Sequence, residues 1–273
     1  WRYSAGMAAS AVGAIVLANA DRLALTVLST PEELGRYTIA FTATGLLQLG
    51  IQPFYKAFFP RYAELISRGD TALLREEYFR SCRVLAAIVI PAGTIGIAFA
   101  PEILRVWVGS TDHTTALVLR LLLSAITMTG VLWLPAAFQQ AHGWTRLHAA
   151  MIAVALLAGF PVMVWAIQQW GTVGATAVWM LHGTLGITME LWLMHRRLLP
   201  GDLKRWYTSV LLPPLAVALP IVVGLRLLLP HPITHWASIS HVAIATSISL
   251  PLSVILTTKR ATTSASRPSE WHR

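Results

Sequence analysis

Apolar residues along this chain are gathered into blocks that are each about as long as a lipid bilayer is thick. A transmembrane helix needs roughly 20 mostly apolar residues, and a helix in lipid satisfies its backbone hydrogen bonds within itself. The pattern therefore predicts an all-α polytopic membrane protein with about eight transmembrane helices. The predicted spans are 5–29, 37–58, 84–101, 115–138, 147–167, 173–194, 207–229 and 236–256.

Composition and charge support this class and orient the chain. Charged residues make up 12% of the chain, about half the fraction found in a soluble domain. If the odd-numbered spans run outward from the cytoplasm, sixteen of the 21 lysines and arginines lie in inside segments and three lie outside; Arg22 and Arg120 fall within spans. This positive-inside asymmetry places both ends of the chain in the cytoplasm. It also explains the excess of 21 lysines and arginines over 12 aspartates and glutamates without a nucleic-acid partner.

The segments between the spans are short. The outside ones cover 30–36, 102–114, 168–172 and 230–235, so none holds a catalytic domain. The inside stretch 61–83 predicts an amphipathic helix under the headgroups, and the basic, Ser/Thr-rich tail 259–273 is predicted to be disordered. Residues 1–258 are expected to form one packed unit. Because the chain begins at Trp1, close to a span, we expect it to be a fragment.

Motifs for catalysis or metal binding are absent from the sequence. There is no GxxxxGK[ST] phosphate loop, no HExxH and no GxSxG. His231 and His235 have a helical spacing, but Pro232 disrupts the helix between them. A single cysteine, Cys82, excludes an intrachain disulfide. We therefore predict no metal and no cofactor, and the pattern favours a carrier over an enzyme.

Polar residues inside three spans repeat at helical spacing, which indicates a shared hydrated interior. The three stripes are Thr44, Gln48, Gln52 and Lys56; Arg120, Ser124 and Thr127; and His182, Gly186 and Glu190. Structural explanations also exist. Glutamines can bond neighbouring helices, and Lys56 can reach the headgroups. His182 can be a packing residue, and Arg196 or Arg197 can neutralise Glu190.

Two adjacent charges, Asp21 and Arg22, interrupt the first span. Adjacent helical residues point about 100° apart, so these two cannot cancel along one face, whereas Asn19 and Arg22 share a face. If the span ends near Ser29, the pair lies roughly 10–12 Å below the outer edge. The alternative is that the helix ends at Ala20. We expect Arg22 to lie beside Asn19 and Asp21 to face a different helix.

Several stretches resemble one family. NADRLALTVLSTPEELGRYTIAF is similar to the seventh and eighth helices of bacterial polysaccharide flippases, which belong to the multidrug/oligosaccharidyl-lipid/polysaccharide exporter superfamily. In that family an Asn-x-Asp-[Arg/Lys] element ends the seventh helix and a Gly-x-Tyr opens the eighth. The matching residues are Asn19, Asp21, Arg22, Gly35 and Tyr37. FFPRYAEL and APEILRVWVG resemble elements after the eighth and ninth helices, and LPAAFQQAHGWTRL and LLPGDLKRWY resemble O-antigen flippases.

The resemblance implies about fourteen helices in two lobes, of which this chain holds helices seven to fourteen, the C-terminal lobe. It implies a location in the bacterial inner membrane. It also implies a cargo: an oligosaccharide repeat unit of O-antigen lipopolysaccharide linked through pyrophosphate to undecaprenol. The implied partners are this lipid-linked oligosaccharide, membrane lipids, the N-terminal lobe and the polysaccharide polymerase machinery.

Moving a pyrophosphate and sugars through hydrocarbon requires a hydrated, cationic cavity, opened to alternate sides by rocking of the lobes. The hypothesis for substrate binding is that Arg22 and Arg120 line this cavity, with Asn19, Gln48, Gln52 and Lys56 as polar contacts. Asp21, Glu190 and His182 are the candidates for ion or proton coupling. The alternatives are a cation-coupled drug antiporter of the same superfamily, a membrane-embedded polysaccharide polymerase or ligase, and an inactive truncated product.

Overall fold

The computed structural model describes residues 2–109, 112–228, 240, 243–244, 246–248 and 251–255. These residues form helices joined by short reversals, and none of the described residues is in a strand. The α-helices up to residue 228 are α1 (Arg2–Leu28), α2 (Pro31–Ser67), α3 (Thr71–Ala98), α4 (Ala100–Val108), α5 (His113–Gly130), α6 (Trp133–Ala141), α7 (Thr145–Val154), α8 (Phe160–Leu185), α9 (Leu191–Leu198), α10 (Leu203–Trp206) and α11 (Leu212–Leu228). Short π-helical segments join three pairs of them: Ala155–Gly159, Gly186–Glu190 and Tyr207–Leu211.

The chain reverses at alternate ends of the helical bundle. One end, which we call the inner end, carries the reversals at 68–70, 142–144 and 199–202. The outer end carries those at 29–30, between Gly109 and Asp112, and at 171. A bidentate ion pair between Arg75 and Asp202, at 2.5 and 2.6 Å, joins two inner reversals. At the outer end Arg226 makes a bidentate pair with Glu102. The first pair connects two segments predicted to lie inside, and the second connects the predicted outside segment 102–114 to the outer end of α11.

Gly171 turns one long helical stretch into a hairpin. Its backbone has φ 57° and ψ −136°, a conformation that glycine adopts without a steric penalty. The two arms pack so closely that a Cβ on Gly174 would lie 2.0 Å from the carbonyl oxygen of Ala166. This reversal falls inside the predicted outside segment 168–172, so residues 145–198 cross the bundle twice.

Within the described residues, four helical stretches are long and apolar enough to cross a membrane: Thr71–Ala98, His113–Ala141, Thr145–Leu198 and Leu203–Leu228. Large apolar side chains such as Val27, Leu157 and Leu227 are about four-fifths exposed, as expected for surfaces that face lipid. The protein is therefore an all-α polytopic membrane protein, which confirms the predicted fold class. Ten of the 21 residues of the predicted span 236–256 lie outside the described residues, as do the tail 259–273 and both His231 and His235.

The inside stretch 61–83 does not form the separate surface helix that its charge pattern suggested. Instead α2 continues to Ser67 and α3 begins at Thr71, with a tight turn at Gly69 between them. Asp70 caps α3 by accepting a hydrogen bond from the backbone N–H of Leu73 at 3.0 Å. The mixed charges are explained by pairs within these helix ends, such as Arg61 with Glu64 at 2.9 Å. The two helices therefore extend together beyond their apolar parts.

Two clusters of buried side chains hold the bundle together. The outer cluster packs α1, α2, α5 and α8 around residues such as Leu25, Tyr37 and Leu119. The inner cluster packs α2, α3, α6 and α10 around Tyr78 and Trp206. The candidate site lies beside the outer cluster, where α1 meets α2 and α8.

Candidate functional site

Asp21 is buried at the junction of α1, α2 and α8, with none of its surface exposed. Its Oδ2 accepts hydrogen bonds from the hydroxyl of Tyr37 and from the indole N–H of Trp179, the latter at 3.0 Å. Its Oδ1 accepts the backbone N–H of Arg22 at 2.8 Å. Three donors thus satisfy a carboxylate that would otherwise be costly to bury. Asp21 therefore joins three helices by hydrogen bonds to neutral groups.

Arg22, the next residue, points away from Asp21 and has no carboxylate partner among the described residues. One guanidinium N–H donates to the Oδ1 of Asn19 at 3.2 Å, which shows that the two share a helix face as expected. Its Cζ lies 4.3 Å from the centre of the Phe41 ring, where the ring face attracts a cation. Its Nε is buried and has no acceptor within the described chain. The guanidinium thus keeps donors free for a further partner.

A small cleft of about 80 Å³ lies between α1, α2, α5 and α8 next to this pair. The cleft is lined by Phe41, whose ring contacts Arg22, and by Trp179, which donates a hydrogen bond to Asp21. Gln48, one of the predicted substrate-contact residues, lines it as well. Gln48 thus lines the cleft directly, whereas Asp21 and Arg22 contact two of its lining residues.

The predicted polar stripe on α2 is split between two faces. Thr44 is buried and donates to the carbonyl oxygen of Phe41 at 2.6 Å, whereas Gln48, Gln52 and Lys56 are exposed. Each four-residue step rotates about 40° around the helix, so the stripe drifts about 120° from Thr44 to Lys56. In the described part of the chain no side-chain hydrogen bond or ion pair holds Gln52 or Lys56. Gln52 and Lys56 continue from the cleft towards the inner end along α2.

Arg120 lies on a different face of the bundle from Arg22. Seven residues, nearly two full turns, separate it from Thr127, so the two share a face of α5. Thr127 packs against Gly93 of α3, where an added Cβ would lie 1.9 Å from its Oγ1. The α5 residues that line the cleft, among them Leu122 and Ile126, are on the opposite side of that helix. The structure thus separates the two arginines that the sequence grouped.

Glu190 lies towards the inner end and faces a histidine from α7. Its Oε1 is 3.6 Å from the Nδ1 of His148, a nitrogen that is buried and forms no hydrogen bond within the described residues. His182 interacts electrostatically with both groups, and its ring meets the edge of Trp179 at 5.9 Å between centres. Arg196 and Arg197 do not neutralise Glu190, because they stack on Trp192 and Trp144 at 5.3 and 4.4 Å. The predicted candidates His182 and Glu190 therefore share one cluster with His148.

Sequence reasoning missed four side chains that complete these sites. They are Tyr37, Phe41, Trp179 and His148. Tyr37 was visible as part of the Gly-x-Tyr element, but nothing in a helical period shows that its hydroxyl reaches Asp21. Trp179 is 158 residues away from its acceptor, and such pairings depend on how helices pack. A buried carboxylate in a span does signal that donors must exist elsewhere.

The fold and these clusters define the class: a polytopic helical membrane protein with ionisable groups held between its helices, which is typical of transporters. Residues 1–116 match the family model described as polysaccharide biosynthesis protein. A Shigella flexneri protein described as "Putative O-antigen transporter" is 23% identical over 154 residues, which cover 55% of this chain and 36% of that protein. The chain thus matches about a third of that relative's length. No solved structure matches the chain. These similarities confirm the resemblance to polysaccharide and O-antigen flippases.

Proposed function

We propose that this chain takes part in translocating oligosaccharide repeat units, linked through pyrophosphate to undecaprenol, across the bacterial inner membrane for O-antigen synthesis. The observation that carries the proposal is Arg22, a cation inside a span with no carboxylate partner among the described residues and with a buried, unused N–H. A pyrophosphate supplies the acceptors that such a group lacks. The similarity to polysaccharide and O-antigen proteins supports the same cargo.

The substrate path follows the exposed side of α2. Arg22 and Asn19 contact the pyrophosphate beside the cleft, and Gln48 contacts it or the first sugar. Gln52 and Lys56 extend the polar surface towards the inner end. Arg120 lies on another face of the bundle, away from this path; it too has no carboxylate within ion-pair distance in the described chain, so its contribution is tested separately. A second lobe, rocking against this one, would close the path and open it to alternate sides.

Coupling to a proton or ion is assigned to the cluster of Glu190, His148 and His182. Glu190 and His148 stand 3.6 Å apart, just beyond hydrogen-bond range, so a change of charge on either alters a weak contact rather than a full set of bonds. Asp21, the third sequence candidate, is the weaker one because three donors already hold it. The cluster also joins two elements, α7 and the π-helical segment before α9.

A carrier fits the described residues better than the alternatives do. The outer reversals are only a few residues long, whereas a polymerase or ligase would need a sizeable outside segment. A cation-coupled drug antiporter would need several carboxylates lining its cavity, whereas Asp21 is fully buried behind Tyr37 and Trp179, and Glu190 faces His148. The basic inner end supports a cytoplasmic location for both ends of the chain. Membrane lipids, a second lobe and the polymerase machinery are the proposed partners.

The test is the variant Arg22→Gln in the intact protein, scored by O-antigen at the surface of a bacterium that lacks its own copy. Loss of a charge-assisted contact to a phosphate should lower export by about tenfold or more at equal protein level. Arg36→Gln is the matched control, because Arg36 lies at the exposed outer end and already pairs with Glu32 and Asp112. Arg120→Gln, made in parallel, measures the second cation separately. Normal export by Arg22→Gln would contradict the proposal.

A further inference from the structure

Arg83 and Arg205 lie side by side between α3 and α10 at the inner end. The Cζ of Arg205 lies 4.4 Å from the centre of the Phe79 ring, and Phe79 precedes Arg83 by one turn of α3. Phe79 and Arg83 share a face of α3, so the two positive charges lie on the same side of that helix. Like charges placed together in this way are unfavourable unless an anion lies between or beside them.

Neither arginine forms an ion pair within the described residues, unlike four other arginines of the inner end. Arg61 and Arg68 both pair with Glu64, Arg75 with Asp202 and Arg80 with Glu77. Glu76 interacts with Arg83 electrostatically but is not within 4.0 Å of it. The Nε of Arg83 is buried and has no acceptor in the described chain. A buried N–H of this kind costs free energy unless a partner supplies an oxygen.

The site lies where the bilayer presents phosphate groups. Arg83 immediately precedes the predicted span 84–101, and Arg205 lies two residues before the predicted span 207–229. The guanidinium fork matches two oxygens of a phosphate.

We propose that Arg83 and Arg205 form a binding site for a lipid phosphate at the inner surface of the membrane. The same chemistry could come from the headgroup of an anionic phospholipid or from the diphosphate of an isoprenoid lipid. The site is separate from Arg22, since it lies at the other end of the bundle and on other helices. Its occupation would fix α10, and through it α11, to α3.

The experiment is native mass spectrometry of the purified chain in a neutral detergent, titrated with one lipid at a time. The lipids are phosphatidylglycerol, undecaprenyl diphosphate and uncharged diacylglycerol. The variant R83Q/R205Q is compared with R146Q/R196Q, which removes the same charge from two inner-end arginines that also lack a carboxylate partner among the described residues. R205Q alone serves as a second variant, because the Arg205 side chain is exposed and its replacement removes its contact with the Phe79 ring but no ion pair among the described residues.

R83Q/R205Q should lose about tenfold in affinity for phosphate-bearing lipid, and R205Q about threefold, while R146Q/R196Q changes less than about twofold. Loss for phosphatidylglycerol identifies a bilayer phospholipid as ligand, and loss for undecaprenyl diphosphate alone identifies the isoprenoid lipid; either supports the site. Diacylglycerol binding should be the same throughout. Equal losses in the two double variants, or none in R83Q/R205Q, would overturn the proposal.

Discussion

Asp21 lies in the predicted first span and Glu190 in the apolar helical stretch Thr145–Leu198, and the surroundings of the two carboxylates differ. Asp21 is fully buried and accepts three hydrogen bonds, two of them from side chains on other helices. Glu190 keeps about a sixth of its side-chain surface exposed and faces only His148, at a distance just beyond a hydrogen bond. Both residues were grouped as coupling candidates from their position in the sequence.

The difference shows that the role of a buried carboxylate depends on the groups that surround it. A carboxylate with neutral donors on two neighbouring helices holds those helices together, and changing its charge breaks several bonds at once. A carboxylate that faces one titratable group makes a contact whose strength depends on protonation. Asp21 is therefore assigned to structure, and Glu190 with His148 and His182 to coupling.

The largest effect on stability is expected from Asp21→Ala. It leaves the Tyr37 hydroxyl and the Trp179 N–H buried without acceptors, which costs about 1–3 kcal/mol for each. The total loss should be about 2–6 kcal/mol, seen as a lower melting temperature and poor recovery from membranes. Asp21→Asn, which keeps an acceptor oxygen and the side-chain shape, should lose clearly less. If both variants had the melting temperature of the wild-type protein, the structural role of Asp21 would be contradicted.

A smaller loss is expected from Trp179→Phe, which removes one of the three donors and keeps an aromatic ring. Losing one hydrogen bond to a buried charged group costs about 1–3 kcal/mol, so the melting temperature should fall by less than in Asp21→Ala. Trp165→Phe is the control, because Trp165 lies on the exposed side of the outer hairpin and is about half exposed. Equal melting temperatures for the two tryptophan variants would contradict the claim that the hydrogen bond from the Trp179 indole to Asp21 stabilises the protein.

The helices themselves could be predicted from the sequence because each rests on a local property. Blocks of apolar residues gave their approximate positions, and Gly171 fell within a predicted reversal. The shared face of Asn19 and Arg22 also followed from helical geometry. The prediction of a single polar stripe on α2 was wrong over several turns. Each four-residue step rotates around the helix, so Thr44 is buried in the protein while the later members of the stripe are exposed.

The partners of the site residues could not be predicted, because they depend on packing between distant segments. Asp21 and Trp179 are 158 residues apart, and Glu190 meets a histidine from the neighbouring helix rather than the nearby Arg196 or Arg197. Arg120 was grouped with Arg22 by residue type and depth alone. The helical position of Thr127 against α3 shows why the two face different neighbours.

The most direct test of the division between the two carboxylates is Glu190→Gln in the intact protein, reconstituted into proteoliposomes with a defined lipid-linked oligosaccharide. Its stability should change by less than about 1 kcal/mol, because only one weak contact is altered. The wild-type protein and Trp179→Phe should flip the lipid-linked oligosaccharide faster when a proton gradient is imposed. The rate of flipping by Glu190→Gln should not depend on the gradient. Full gradient dependence in Glu190→Gln would contradict the assignment of coupling to Glu190.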